Sequence, residues 1–363
     1  MLDVDASLPR PDPDVERLKA VLRKGKPDRV PLVELAIADE ILAAVAGKAL
    51  APWPVDRNPQ QARAWAADRV EVWRRLGFDY YRARAEIPFR THTLAATDTA
   101  MSAAGDRVWV DEHAGVIQSA ADLERYPWPK PAEIDFAPTE AAINVLPEGM
   151  GVIGFSGGVL EWTTNIMGLE NMMLLLYDDP ALVRQVVDHV GEVIYSAFET
   201  FCSMDSVFAI WLGDDMGFRT ATLIRPEHLR EYILPWHHRY AELAHRTGRP
   251  FLLHSCGHIE AIMPDLIDTV GIDAKHSFED AIVPVEQFKE RWGGRIGVLG
   301  GLDVDILARQ PVERIRERTE QILNACAPSG GYACGSGNSI PNYVPPTAFL
   351  AMIETVHRFN ARL

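Results

Sequence analysis

The residue pattern best suited to chemistry is His254-x-Cys256, inside the string HSCG. On a strand, side chains two positions apart point to one face, so an imidazole and a thiolate there converge on one ion. Zn²⁺ accepts such nitrogen and sulfur donors at ~2.0–2.3 Å, and a catalytic zinc site keeps three protein ligands and one open position. Cys334 is the natural third ligand, its other reading being a small core hydrophobe. Cys202 and Cys326 fall in helical patterns (FETFC and ILNAC) and read as buried packing. Asp214 and Asp215, in GDDMG, offer an oxygen ligand or a general acid or base; a helix N-cap before Met216 accounts for one of them at most. Glu161 reads as a substrate or metal contact or as ordinary first-turn helix electrostatics.

These residues act together only if distant stretches of chain converge. Eight short apolar runs carry the pattern of buried strands: Pro31 to Ile37, the FDYYRA after Gly77, Gly151 to Phe155, Val207 to Leu212, Pro250 to Leu253, Ile272 to His276, Arg295 to Leu299 and Gly331 to Cys334. Most are separated by amphipathic helical patterns, and no early glycine-rich dinucleotide fingerprint occurs. The alternation predicts an α/β fold, a closed (β/α)8 TIM barrel, whose active site lies at the C-terminal ends of the strands. Most of the last six ends carry ionisable or metal-seeking side chains. Glu161 follows the third run, Asp214-Asp215 the fourth, His254 and Cys256 the fifth and His276 the sixth. Asp303 follows the seventh, and Cys334 to Asn338 the eighth. The glycine-rich GSGN and LGGLD segments read as tight turns.

Residues Glu86 to Ser119 break the rhythm and read as a β-hairpin inserted after the second strand, with turn signals at Gly105-Asp106 and Gly115. Tyr126 to Pro138 is a proline-rich, rigid connector. The organisation expected is a single domain over residues 1–363, with an N-terminal arm at 1–28 and an insertion at about 86–140. The 363 residues are 47% hydrophobic and 24% charged, which excludes disorder as the main state. A net charge of −15 argues against nucleic acid or an anionic membrane as a general partner. Four cysteines are too few for a disulfide scaffold. With no basic, apolar leader and no long uncharged apolar run, the chain reads as soluble and cytoplasmic.

HSCG, with GDDMG before it, LGGLDVD after it and GGYACGSGNSIP near the end, resembles the uroporphyrinogen decarboxylase-like superfamily, most specifically from about Ile210 to Met352. The resemblance implies one (β/α)8 barrel with a deep cleft, and two activities. One is decarboxylation of uroporphyrinogen; the other is methyl transfer to or from a corrinoid protein at a zinc centre. Decarboxylases of this kind carry an N-terminal RQAGR-like segment and an FSD motif after the second strand; here the first place reads VELAIADEIL and no FSD occurs. The methyltransferase branch is marked by H-x-C on the fifth strand, matched by His254 and Cys256, plus a cysteine beyond the eighth strand. That last cysteine sits in a PGC-type turn, which falls here on Gly337-Asn338. The metal set is therefore His254 and Cys256 with Cys334, or with a carboxylate from Glu161, Asp214 or Asp215. Asp214, Asp215 or His276 would manage the proton, and Glu161 and Asn338 would contact substrate.

By this resemblance the cofactors are Zn²⁺ and a corrinoid (cobalamin). No DxHxxG-type corrinoid motif is present, so the corrinoid would arrive on a separate protein. The partners implied are that corrinoid protein, a small methyl donor or acceptor (methyl ether, alcohol or thiol) and, as in relatives, a second copy forming a homodimer. The alternatives are a decarboxylase-type lyase, or a tetrapyrrole- or corrinoid-binding protein without turnover.

Overall fold

The computed structural model of the chain describes residues 8–97, 106–111 and 115–363. Its centre is a curled, wholly parallel sheet of seven strands. In chain order these are β1 (Tyr80–Arg84), β4 (Gly151–Gly157), β5 (Val207–Gly213), β6 (Phe251–His254), β7 (Ala274–His276), β8 (Gly297–Leu299) and β9 (Tyr332–Ala333). Each neighbours the next in the sheet. β5 to β9 are almost wholly buried, as expected of parallel strands covered by helices. The covering helices turn an apolar stripe inward. Pro180–Cys202 buries Val183, Val187, Ile194 and Phe198, and Val312–Cys326 buries Ile315, Ile322 and Leu323.

Two further strands, β2 (Thr93–Thr97) and β3 (Asp106–Val110), pair antiparallel apart from the main sheet. Gly105, half of one expected turn, lies outside the described residues, as do residues 1–7 of the expected N-terminal arm. No helix among the described residues is long and apolar enough to cross a membrane.

The run Pro31 to Ile37, expected as the first strand, is buried but is not a strand. It meets the segment that follows β9 through two isolated parallel bridges, Leu32 with Cys334 and Ile37 with Ile340. Val33 N–H donates to the Cys334 carbonyl and Cys334 N–H to the Pro31 carbonyl, both at 2.9 Å. On the side of β1, a side chain takes the place of a backbone ladder. The Tyr80 hydroxyl accepts from Glu34 N–H (2.8 Å) and donates to the Glu34 carbonyl (2.6 Å). One phenol thus satisfies both main-chain groups that a strand would have offered its neighbour.

The seam between this run and β9 depends on Gly335, where an added Cβ would lie 1.7 Å from the Val33 carbonyl oxygen. Gly335→Ala is expected to destabilise the fold by about 3 kcal/mol through that overlap. The check is a urea titration, in which the midpoint falls while the slope is unchanged.

Candidate metal centre

β5 and β6 end side by side, Gly213 in register with His254, and the loops beyond them touch through glycine backbones. A Cβ on Gly257, whose φ is +77°, would sit 2.3 Å from the Gly217 carbonyl carbon; a Cβ on Gly217 would sit 2.5 Å from the Cys256 oxygen. Only glycine permits this approach. It is locked by Met216 N–H donating to Ser255 Oγ (3.1 Å) and His258 N–H donating to the Phe218 carbonyl (2.7 Å). Cys256 N–H in turn donates to Asp215 Oδ1 at 2.8 Å. The motifs GDDMG and HSCG are thus two halves of one loop pair.

One ligand atom each from Asp215, His254 and Cys256 comes within 4.8 Å of the others. His254 Nε2 lies 3.4 Å from Cys256 Sγ and 3.5 Å from Asp215 Oδ1. The sulfur also receives the Asn338 side-chain N–H (3.2 Å) and the Ser277 hydroxyl (3.3 Å). Ser277 has φ +91°, a strained backbone for a residue other than glycine, and it holds its hydroxyl at the sulfur. His254 is nearly buried while the Asp215 side chain is 48% exposed, so the group opens toward solvent on the carboxylate side.

The ring orientation of His254 is set from behind. Its Nδ1 lies 2.8 Å from His276 Nδ1, and His276 Nε2 lies 3.3 Å from the Ser336 carbonyl. A carbonyl only accepts, so His276 donates from Nε2, accepts at Nδ1, and leaves His254 donating from Nδ1 with a free Nε2 lone pair. Burial, with His254 and Lys275 beside it, pushes His276 well below the ordinary histidine range. Burial likewise lowers His254 to about 4. Both rings are neutral in the state a ligand requires. Ser336 is held by the buried Glu34, to which it donates its backbone N–H (2.8 Å) and hydroxyl (2.5 Å). Burial raises Glu34 to about 8.

Burial and then the nearby Asp215 raise the Cys256 thiol to about 12. Lys275, lowered to about 8 by burial, runs beneath the loop, giving hydrogen bonds to the carbonyls of Ser255, His276 and Ser277. Its ammonium also lies 4.4 Å from the Phe278 ring centroid.

Other expected residues fall elsewhere. Asp214 is fully buried and turned away from the group. It accepts from Leu160 N–H (3.1 Å) and Glu161 N–H (2.9 Å) at the start of the helix Val159–Met167, and pairs with His237 Nε2 at 2.7 Å. It caps a helix, but a different one from that suggested by its sequence neighbours. Glu161 is exposed on the first turn of that helix and is not in the group. Cys334 is not in it either: it is 1% exposed, bridged to Leu32, and raised to about 12 by burial. Cys202 and Cys326 are buried. Sequence reasoning passed over Lys275, Glu34 and Arg82. Each is a charged side chain within a run that reads as a buried strand (IDAKH, PLVELAI, FDYYRA), and that was the available signal.

The profile of the family Uroporphyrinogen decarboxylase (URO-D) matches residues 14–359. The chain is similar to a uroporphyrinogen decarboxylase of Anaeromyxobacter dehalogenans, 25% identical over 67% of this chain and 70% of that protein. It is also similar to a methylated-thiol–coenzyme M methyltransferase of Methanosarcina mazei, 29% identical over 49% of this chain and 46% of that protein. Among solved structures, a methyltransferase from Methanosarcina mazei shares the fold with a TM-score of 0.66 at 19% identity, covering 96% of this chain and 99% of that one.

Two outcomes follow from the geometry. Asp214→Ala is expected to cost about 3–5 kcal/mol, because it strands two helix N–H groups and His237 in the core. Asp215→Ala should cost no more than about 1 kcal/mol; chemical unfolding of both variants reads the contrast. Because Cys256 keeps its proton through neutral pH and His254 has none to lose, binding a divalent ion must expel one proton. Apparent zinc affinity should then rise about ten-fold per pH unit over roughly pH 6 to 8, measured by competition with a chromophoric chelator.

Proposed function

The chain belongs to the uroporphyrinogen decarboxylase family, and from that premise we propose that it is a methyltransferase. It moves a methyl group between a small substrate (a methyl ether, alcohol or thiol) and a corrinoid held on a separate protein, at a zinc ion bound by Asp215, His254 and Cys256. The observation that carries this reading is the group itself: an oxygen, a nitrogen and a sulfur donor within 4.8 Å, at the ends of adjacent parallel strands. Borderline-soft zinc suits this mixed set, three protein donors leave one position for substrate, and the His276–Ser336 chain already orients the imidazole. The reading extends to the architecture, with the 31–37 run as the closing element of a single (β/α)8 barrel domain.

Zinc bound there would polarise an oxygen leaving group or hold a substrate thiol as thiolate. The chain's own residues do the rest. His254 presents Nε2, held by His276 in the tautomer that leaves its lone pair free. Ser277 and Asn338 donate hydrogen bonds to the sulfur, stabilising Cys256 once it loses its proton. Asp215, half exposed, carries the oxygen that can exchange a proton with substrate. Asp214 and His276 hold other groups in place, and Asn338 touches the sulfur first and substrate only through it.

The decarboxylase reading is favoured by the name of the Anaeromyxobacter relative. Against it stand the missing RQAGR-like and FSD segments and the acidic charge of the chain, which opposes a substrate with eight carboxylates.

Elemental analysis of the purified protein is expected to show about one zinc per chain. Cys256→Ser and Asp215→Asn should each lower zinc occupancy at sub-micromolar free metal by at least about ten-fold, with methyl transfer to or from free cobalamin lost in parallel. Full zinc retention in Cys256→Ser would sink the centre. Conversion of uroporphyrinogen to a decarboxylated product would install the second reading instead.

A further inference from the structure

A cavity of about 670 Å³ opens at the C-terminal end of β1, walled by Trp53, Trp65, Trp73, Tyr81, Arg82 and Arg84. Its carboxylates already have arginine partners. Asp39 pairs with Arg69, Glu86 with Arg84 (3.3 Å) and Asp135 with Arg57 (2.8 Å). Arg82 differs. Its guanidinium stacks on the Phe155 ring, 4.6 Å from the centroid, and its buried Nε has no hydrogen-bond partner. No carboxylate forms an ion pair with it among the described residues, Glu86 acting on its charge only from a distance.

Arg82 is connected through the sheet to the Asp215–His254–Cys256 group. It shares a strand face with Tyr80, whose hydroxyl sits in the sheet interior on Glu34. The Phe155 ring on which it stacks reaches toward Gly213, where an added Cβ would come 2.8 Å from the Phe155 Cζ. Gly213 is the register partner of His254. The path Arg82, Phe155, Gly213, His254 thus steps across four neighbouring strands. Its charge is one of those that disfavour protonation of His254.

A guanidinium beside an aromatic-walled cavity, with its Nε buried and unpartnered, costs the folded state unless an acceptor completes its hydrogen bonding. We propose that Arg82 receives the carboxylate (or sulfonate) of a small organic anion whose flat apolar body lies against the tryptophans, its far end directed at the Asp215–His254–Cys256 group. Arginine suits this task because its planar fork meets such an anion through two parallel hydrogen bonds. The cavity holds a single-ring ligand with room to spare. Calling that anion the methyl-group substrate rests on the methyltransferase reading; its binding does not.

The probes are 4-methoxybenzoate and its neutral counterpart 4-methoxybenzamide, titrated calorimetrically into the full-length protein. The unaltered protein is expected to bind the anion at least ten-fold more tightly than the amide. Arg82→Met should abolish that preference while its thermal midpoint holds or rises, since an unpaired charge has been removed. Arg82→Lys, which keeps a charge but not the fork, should retain only part of it. Equal affinity of the unaltered protein for both probes, or a preference that survives Arg82→Met, overturns the proposal. If Arg82→Met does not fold, a full preference in Arg82→Lys does the same. An intact preference with no methyl transfer from any anionic ether or thioether would defeat the methyltransferase reading and leave the anion site standing.

Discussion

The hydrogen bond between the two Nδ1 atoms of His254 and His276 is the contact on which the rest of this centre turns. Two imidazoles that face each other in this way cannot both donate, and the Ser336 carbonyl decides which one does. The decision propagates outward and frees the Nε2 lone pair of His254 beside Cys256 and Asp215. It also propagates inward: Ser336 is gripped by Glu34, and Glu34 by the hydroxyl of Tyr80 on β1. One polar thread therefore runs from the seam that the 31–37 run makes with its neighbours to the atom that would meet a metal ion.

Burial supplies the electrostatic counterpart. Low dielectric disfavours every charged form, and here it acts on groups that a metal site needs neutral or needs to deprotonate on demand. His254 and His276 are pushed down and Cys256 is pushed up. Lys275 keeps its ammonium in the core only with three carbonyls and an aromatic face around it. With both rings and the thiol held neutral, the group has the form that a preorganised metal site would require. Asp214 and His237, equally buried, form a separate pair that anchors the helix after β4 to the loop after β5. That anchor places the first Asp of GDDMG in the scaffold, while the second lies beside His254 and Cys256.

Much of this was readable beforehand, and what was not has a common cause. His254 and Cys256 were legible because an i, i+2 spacing at a strand end is a local property of the chain. Asp215 was legible only as one of three carboxylates, since backbone contact between two glycine loops selects it. Asn338 was expected near substrate, and the fold sets its side-chain N–H on the Cys256 sulfur, a contact that no spacing encodes. Cys334 and Cys256 look alike in sequence, yet one is sealed against the 31–37 run while the other sits at the cleft.

By itself the sequence determined the alternation of buried strands and covering helices, and the line-up of reactive side chains behind successive strand ends. Those follow from hydrophobic periodicity, which acts over a few residues. Only the tertiary structure decided which aspartate joins His254 and Cys256, which cysteine is packed away, and that Arg82 stacks on Phe155 with its Nε unpartnered. Those outcomes depend on contacts between segments dozens to hundreds of positions apart, where sub-ångström clearances and shared protons choose among residues of identical type.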